Sequence, residues 1–120
     1  MKELNKVTGL QGEVQAKKYL QKHGYHIIET NYKNKIGEID IIAQNKKLFG
    51  NKCIIFVEVK TRTSKAFGLP REAVTPTKQN KIRQVATAYM IENNIYEKVG
   101  MRFDVIDVVG DDITHIENAF

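Results

Sequence analysis

One cysteine, Cys53, stands among 120 residues, so the chain can form neither an internal disulfide nor a cysteine-only zinc cage. Long apolar runs are also missing. The longest, Cys53 to Val57, has five residues where a membrane span needs about twenty. The amino-terminal Met1-Lys2-Glu3-Leu4-Asn5-Lys6 carries no apolar segment of signal-peptide type. These absences lead us to expect a soluble cytoplasmic domain with no membrane partner. His23, His26 and His115 show no metal-ligand spacing, and Gly24 breaks any helical register between the first two. Repeats, low-complexity tracts and linkers are absent, so residues 1–120 read as a single domain of ordinary size.

Acidic residues are scarce in one stretch. From Lys60 to Arg83 there are seven basic residues (Lys60, Arg62, Lys65, Arg71, Lys78, Lys81, Arg83) against Glu72 alone, a net +6. The whole chain carries +5, so this stretch holds all of the positive excess. Met101 to Phe120 has the opposite sign, with Arg102 facing Asp104, Asp107, Asp111, Asp112 and Glu117. A solvated lysine-rich face and a phosphate-facing side both account for such clustering.

Periodicity predicts a helix from about residue 8 to 23, with Ala16, Tyr19 and Leu20 on one side and Gly24 as its stop. Three strands follow, Tyr25 to Lys33, Ile36 to Gln44 and Lys52 to Thr63, with Asn45 to Asn51 as the hairpin loop between the last two. Ser64 to Thr75 reads as a loop. Thr75-Pro76 then forms an N-cap followed by proline at the first helical position, opening a helix to about Asn93. Ile82, Val85, Ala86 and Tyr89 make its apolar stripe. Met101 to Val109 and Ile113 to Ala119 are the final strands, joined by Gly110-Asp111-Asp112. The order α-β-β-β-α-β-β implies an α/β domain with a mixed central sheet flanked by helices.

Several charges sit where strands are otherwise apolar. Alternation puts Glu38 and Asp40 on one side of their strand, and Glu58 and Lys60 on the same side as Ile54 and Phe56. Ile55, Val57 and Val59 fill the other side, so Cys53 to Val59 reads as a central strand covered on both faces. A charge at the end of such a strand is costly unless it is paired or bound to metal. If the second and third strands form a hairpin, Asp40 lies beside Glu58 within reach of one cation. Oxygen ligands of this kind select Mg²⁺ or Mn²⁺, and a neighbouring lysine can orient a water or offset transition-state charge. An ordinary ion-pair network near a strand end is the competing account.

Glu13 either faces the sheet as a third carboxylate or is an exposed first-turn acid complementing the helix dipole. Lys78 and Gln79, at the start of the second helix, could each reach the site or a phosphate; for Lys78 the alternative is a side chain that covers apolar surface. Cys53 reads as a small core residue, and Tyr25, Tyr32, Tyr89 and Tyr96 as packing residues that could also stack on bases.

Taken together, Gly12-Glu13, Asn31-Tyr32, Gly37-Glu38-Ile39-Asp40-Ile41-Ile42-Ala43, Phe56-Val57-Glu58-Val59-Lys60-Thr61-Arg62, Phe67-Gly68 and Ala73 to Lys78 resemble the YraN-like family of bacterial proteins. Arg102-Phe103-Asp104-Val105 and Asn118-Ala119-Phe120 extend the likeness over nearly the whole chain. That family is described as similar to Holliday junction resolvases. The resemblance implies a restriction-endonuclease-like core, with Asp40 and Glu58 as metal ligands, Lys60 as the catalytic lysine and Glu13 as a further ligand. It implies a Mg²⁺- or Mn²⁺-dependent endonuclease acting on DNA, on branched or flapped structures. Arg62, Lys65, Arg71, Lys78, Gln79, Lys81 and Arg83 would then position the backbone, in a chain that could work as a homodimer. A non-catalytic nucleic-acid-binding module and a protein-interaction domain with a basic face are the alternatives.

Overall fold

The most apolar segment of the chain becomes the middle of the sheet. Strand β3 (Cys53–Arg62) lies third of five, in the order β1-β2-β3-β4-β5, so sequence order and spatial order coincide. The computed structural model describes residues 2–45, 52–62 and 74–120, with side chains from residue 11 onward. The other strands are β1 (Tyr25–Lys33), β2 (Glu38–Asn45), β4 (Gly100–Val109) and β5 (Asp112–Ile116). Neighbours run antiparallel except β3 and β4, which are parallel and need a crossover; helix α2 (Pro76–Glu92) lies within it. Helix α1 (Lys2–Lys22) precedes the sheet. The expected mixed α/β architecture and element order are what the chain adopts.

Alternation along β3 divides the interior into two cores. Ile54 and Phe56 pack with Ile82, Val85, Ala86 and Met90 of α2, while Ile55 and Val57 pack with Ala16 and Leu20 of α1. Each face of β3 is therefore dry, which is why neither carries a polar residue before Glu58. Gly12 brings α1 close to the sheet, since a Cβ there would overlap the hydroxyl of Thr61 on β3. Among the described residues no helix is long and apolar enough to cross a membrane.

Thr75 caps α2 as its sequence suggests: its backbone is extended, its Oγ1 accepts from Lys78 N at 3.2 Å, and Pro76 follows at the first helical position. Gly24 stops α1 with φ +88°, in the left-handed region that glycine tolerates.

Several boundaries differ from expectation. Helix α1 begins at Lys2 and not near residue 8, because Lys, Glu and Leu favour helix without marking an apolar face. Strand β2 begins at Glu38 and not at Ile36. Asn34 Oδ1 accepts from both Ile36 N (2.9 Å) and Gly37 N (3.1 Å), folding that segment into a side-chain-closed turn. Strand β5 ends at Ile116 and not at Ala119. Asn118, at φ 52°, turns the chain so that Ala119 N donates to Phe103 O and Phe120 stacks on Phe103. The expected loops over Asn45–Asn51 and Ser64–Thr75 fall largely at positions 46–51 and 63–73, outside the described residues.

Candidate functional site

Strand β2 loses its regular alternation at one residue. Ile39 lies in the α2-side core and Ile41 in the α1-side core, although residues two apart on a regular strand share a face. The residue between them is Asp40. Across the β1–β2 pairing, between the couples Thr30↔Ile41 and Tyr32↔Ile39, lies Asn31, whose φ is 53°. Asparagine is one of the few residues that adopts this conformation readily. The kink ends the β2–β3 ladder, whose last described pair is Ile41↔Val57. Beyond it, Val59 N donates to Asp40 Oδ2 at 2.8 Å, so a side-chain carboxylate stands where a backbone carbonyl would continue the sheet. The two strands part there and leave a polar mouth at the end of β3.

Glu58 and Lys60 emerge from β3 into that mouth. Glu58 is 7% exposed. Its Oε1 is 2.7 Å from Lys78 Nζ, which reaches over from the first turn of α2, and 3.6 Å from Lys60 Nζ. Asp40, Glu58 and Lys78 line one cavity of about 430 Å³, together with Glu38, Thr77 and Lys81.

The electrostatics follow from burial and crowding. Burial, then the charge of Glu58, push the Asp40 carboxyl up from 3.8 to about 7; Glu13 adds to this, while the Val59 N–H and Lys78 oppose it. Lys60 is pushed below the usual lysine range by burial first and then by the charge of Lys78. Burial also works against the charge of Lys78, but its hydrogen bond and ion pair with Glu58 outweigh that and raise it. A carboxylate that resists ionising therefore stands next to an anion held by two ammonium groups.

This donor set suits a hard divalent cation. Asp40 and Glu58 supply two carboxylates, and Mg²⁺ is commonly held by one or two carboxylates while keeping waters or phosphate oxygens in its other positions. Burial raises the Asp40 carboxyl first and repulsion from Glu58 adds to it, and that repulsion is what a bound cation would relieve. Among the described residues no three His, Cys, Asp or Glu side chains gather into a metal site. Glu13, half-buried and well inside α1, is close enough for its charge to act on Asp40. Because α1 starts at Lys2, the alternative role of Glu13 as a first-turn acid does not apply.

The model of the uncharacterised protein family UPF0102 matches residues 12–108, which include every element that shapes this mouth. The chain belongs to UPF0102. A UPF0102 protein of Alkaliphilus oremlandii is 48% identical over 122 residues, covering 98% of this chain and all of that relative. One from Caldanaerobacter subterraneus subsp. tengcongensis is 48% identical over 128 residues and covers both chains fully. One from Desulforamulus reducens is 42% identical over 120 residues, covering 95% of each. The YraN-like resemblance drawn from the sequence is to this family.

Other residues of this UPF0102 chain that the sequence suggested for phosphate contact are placed variously. Lys78 and Lys81 line the cavity. Arg62 does not: its Nε and Nη2 donate to the two oxygens of buried Asp107, at 2.8 and 3.0 Å. Arg83 lies with its guanidinium over Phe103 (4.9 Å) and Phe120 (5.5 Å). Gln79 Nε2 donates to Val74 O at 3.0 Å and so fastens the chain entering α2. Lys65 and Arg71 lie outside the described residues. Glu38 was not singled out as a site residue, although its spacing from Asp40 was the available signal; it lines the cavity. The acids of the last twenty positions do not form one acidic surface. Asp104 and Asp107 are buried, Asp104 between Arg102 (2.7 Å) and His115 (2.7 Å). Tyr32 and Tyr89 pack edge to face, with ring centroids 5.2 Å apart, in the α2-side core.

Proposed function

We propose that this UPF0102 chain is a Mg²⁺- or Mn²⁺-dependent endonuclease with a restriction-endonuclease-like core, acting on DNA and selecting branched or flapped structures by shape. The observation that carries this reading is the meeting of Asp40, Glu58 and Lys60 at the parted end of β2 and β3, under the basic first turns of α2. Phosphodiester hydrolysis needs a nucleophilic water, an offset for the charge that develops on phosphorus, and a clamp on the backbone. When bound, the divalent cation supplies electrophilic activation of the phosphate and acidification of water. Asp40 and Glu58 would hold it, with Asp40 fixed in orientation by the Val59 N–H. Lys60, whose proton affinity is lowered by its surroundings, orients the attacking water and offsets the charge of the transition state. The water gives up a proton to solvent as its oxygen bonds to phosphorus, the P–O ester bond breaks, and the departing alkoxide takes a proton from solvent in return. Lys78 and Lys81 offer positive charge to the backbone, which conveys shape and position and not base sequence.

The test is cleavage of junction, flap and linear DNA with Mg²⁺ or Mn²⁺ by wild type, Asp40→Ala and Lys60→Ala. Each substitution is expected to lower turnover by about 100-fold or more. Equal activity in all three proteins would overturn the assignment. The pairing of Lys78 with Glu58 favours a second reading, in which the acids are closed off by lysine and the domain binds nucleic acid without cutting it. Salt-sensitive DNA binding with no cleavage under any metal would establish that reading instead.

A further inference from the structure

Lys78 sits against the electrostatics of its own helix. It is the third residue of α2, where the peptide dipoles present their positive end, and that first turn contains no acid. Its ammonium is nevertheless 2.7 Å from Glu58 Oε1, the same oxygen that Lys60 approaches at 3.6 Å. The two partners differ in freedom. The Glu58 side chain is 8% exposed and fixed in the wall, while that of Lys78 is 46% exposed and reaches in from the solvent side. A buried carboxylate is thus held by an ammonium whose side chain is nearly half exposed.

We propose that Lys78 is the resident counter-ion of the carboxylate site, holding Glu58 Oε1 until a divalent cation takes that oxygen, and then turning to a phosphate of the nucleic acid. The proposal rests on the nuclease reading and adds to it a coupling between metal and substrate. An ammonium in hydrogen-bond contact with Oε1 and a divalent cation on the same oxygen repel each other at short range, so Lys78 gives way. Its released end remains beside Thr77 and Lys81 on the cavity wall. There the helix amino terminus, which disfavours a lysine, favours a phosphate oxygen, and Lys78 and that phosphate satisfy each other. Nucleic acid therefore tightens metal binding by giving Lys78 somewhere to go, and by reciprocity metal tightens nucleic-acid binding.

Calorimetric titration of Mn²⁺ into the intact wild type, Lys78→Met, Lys78→Gln and Lys81→Met separates this from a general charge effect. Both Lys78 variants are expected to bind Mn²⁺ about 5- to 10-fold more tightly than wild type. Lys81→Met removes the same charge from the same cavity and leaves the Glu58 contact in place, so its affinity should change by less than about twofold. Fluorescence anisotropy of a short labelled duplex, with Ca²⁺ as the probe metal and at constant ionic strength, reads the coupling. Ca²⁺ should tighten duplex binding by wild type about fivefold or more, and by Lys78→Met distinctly less. Unchanged or weaker Mn²⁺ binding by both Lys78 variants overturns the counter-ion role while leaving the metal site standing. An equal gain in Lys81→Met overturns it as well, since bulk charge would then account for the effect. No Mn²⁺ binding by any of the proteins removes the metal reading itself, and this proposal with it.

Discussion

Replacing Asp40 by asparagine removes a charge that the folded chain holds at a cost. The isosteric amide keeps an oxygen to accept the Val59 N–H, so the ladder end is preserved while the repulsion with Glu58 disappears. A carboxyl whose proton affinity rises from 3.8 to about 7 on folding sets a ceiling of about 4 kcal/mol on the penalty of keeping it ionised. The mouth is open to solvent, whose screening reduces the recoverable share to about 1–2 kcal/mol. Between pH 3.8 and about 7 the folded state binds more protons here than the unfolded state does. The contribution of Asp40 is accordingly full below that window and is lost as pH rises through 7. Thermal unfolding in EDTA should show Asp40→Asn melting about 3–10 °C above wild type at pH 8. The gap should narrow steadily toward pH 4. Saturating Mn²⁺ should reverse the order, because a ligand at 100 times its Kd stabilises wild type by about 2.7 kcal/mol and the variant has lost a ligand. A variant less stable than wild type at pH 8 in EDTA, or a gap that ignores pH, would refute the reasoning. Asp40 would then be a satisfied backbone cap and not a strained acid.

Other consequences follow from neighbouring features. Asn31→Gly should leave stability within about 1 kcal/mol of wild type, while Asn31→Val should cost about 1–2 kcal/mol in denaturant melts, because the strand kink needs a left-handed backbone there. Gly12→Ala should destabilise by about 1–3 kcal/mol despite the better helix propensity of alanine, and a double-mutant cycle with Thr61→Ala should recover part of that loss. Asp104 is buried, which by itself raises its proton affinity, yet His115, Arg102 and the Asn118 N–H together hold it below the usual carboxylate range. Its stabilising contribution is therefore complete above 3.8 and lost as pH falls through its depressed value. Asp104→Asn should cost about 1–3 kcal/mol at neutral pH, since it takes the carboxylate from partly buried Arg102, and should flatten the acid limb of an unfolding titration.

Local chemistry carries most of the architecture of this chain. Period-2 and period-3.6 patterns mark the elements in order, Thr75-Pro76 marks the start of α2, and apolar residues on both faces of Cys53 to Val59 make β3 central before any partner strand is known. The same alternation puts Glu58 and Lys60 on one face and points to Asp40 as their neighbour. Those are statements about a residue and the two or three beside it, which sequence spacing conveys. Charge pairing is different, because it acts through space and depends on what burial leaves exposed. Only the folded chain sends Arg62 to Asp107, lays Arg83 over Phe103 and Phe120, and brings Lys78 across from another element to Glu58. A run of +6 was legible as a basic stretch. Which of its lysines remain facing the cavity, and which arginines are consumed within the fold, was decided by tertiary contacts between positions far apart in sequence. The kink at Asn31 and Asp40 belongs to the same class: alternation predicts a regular strand there, and the irregularity that opens the site arises only from packing Ile39 and Ile41 into opposite cores.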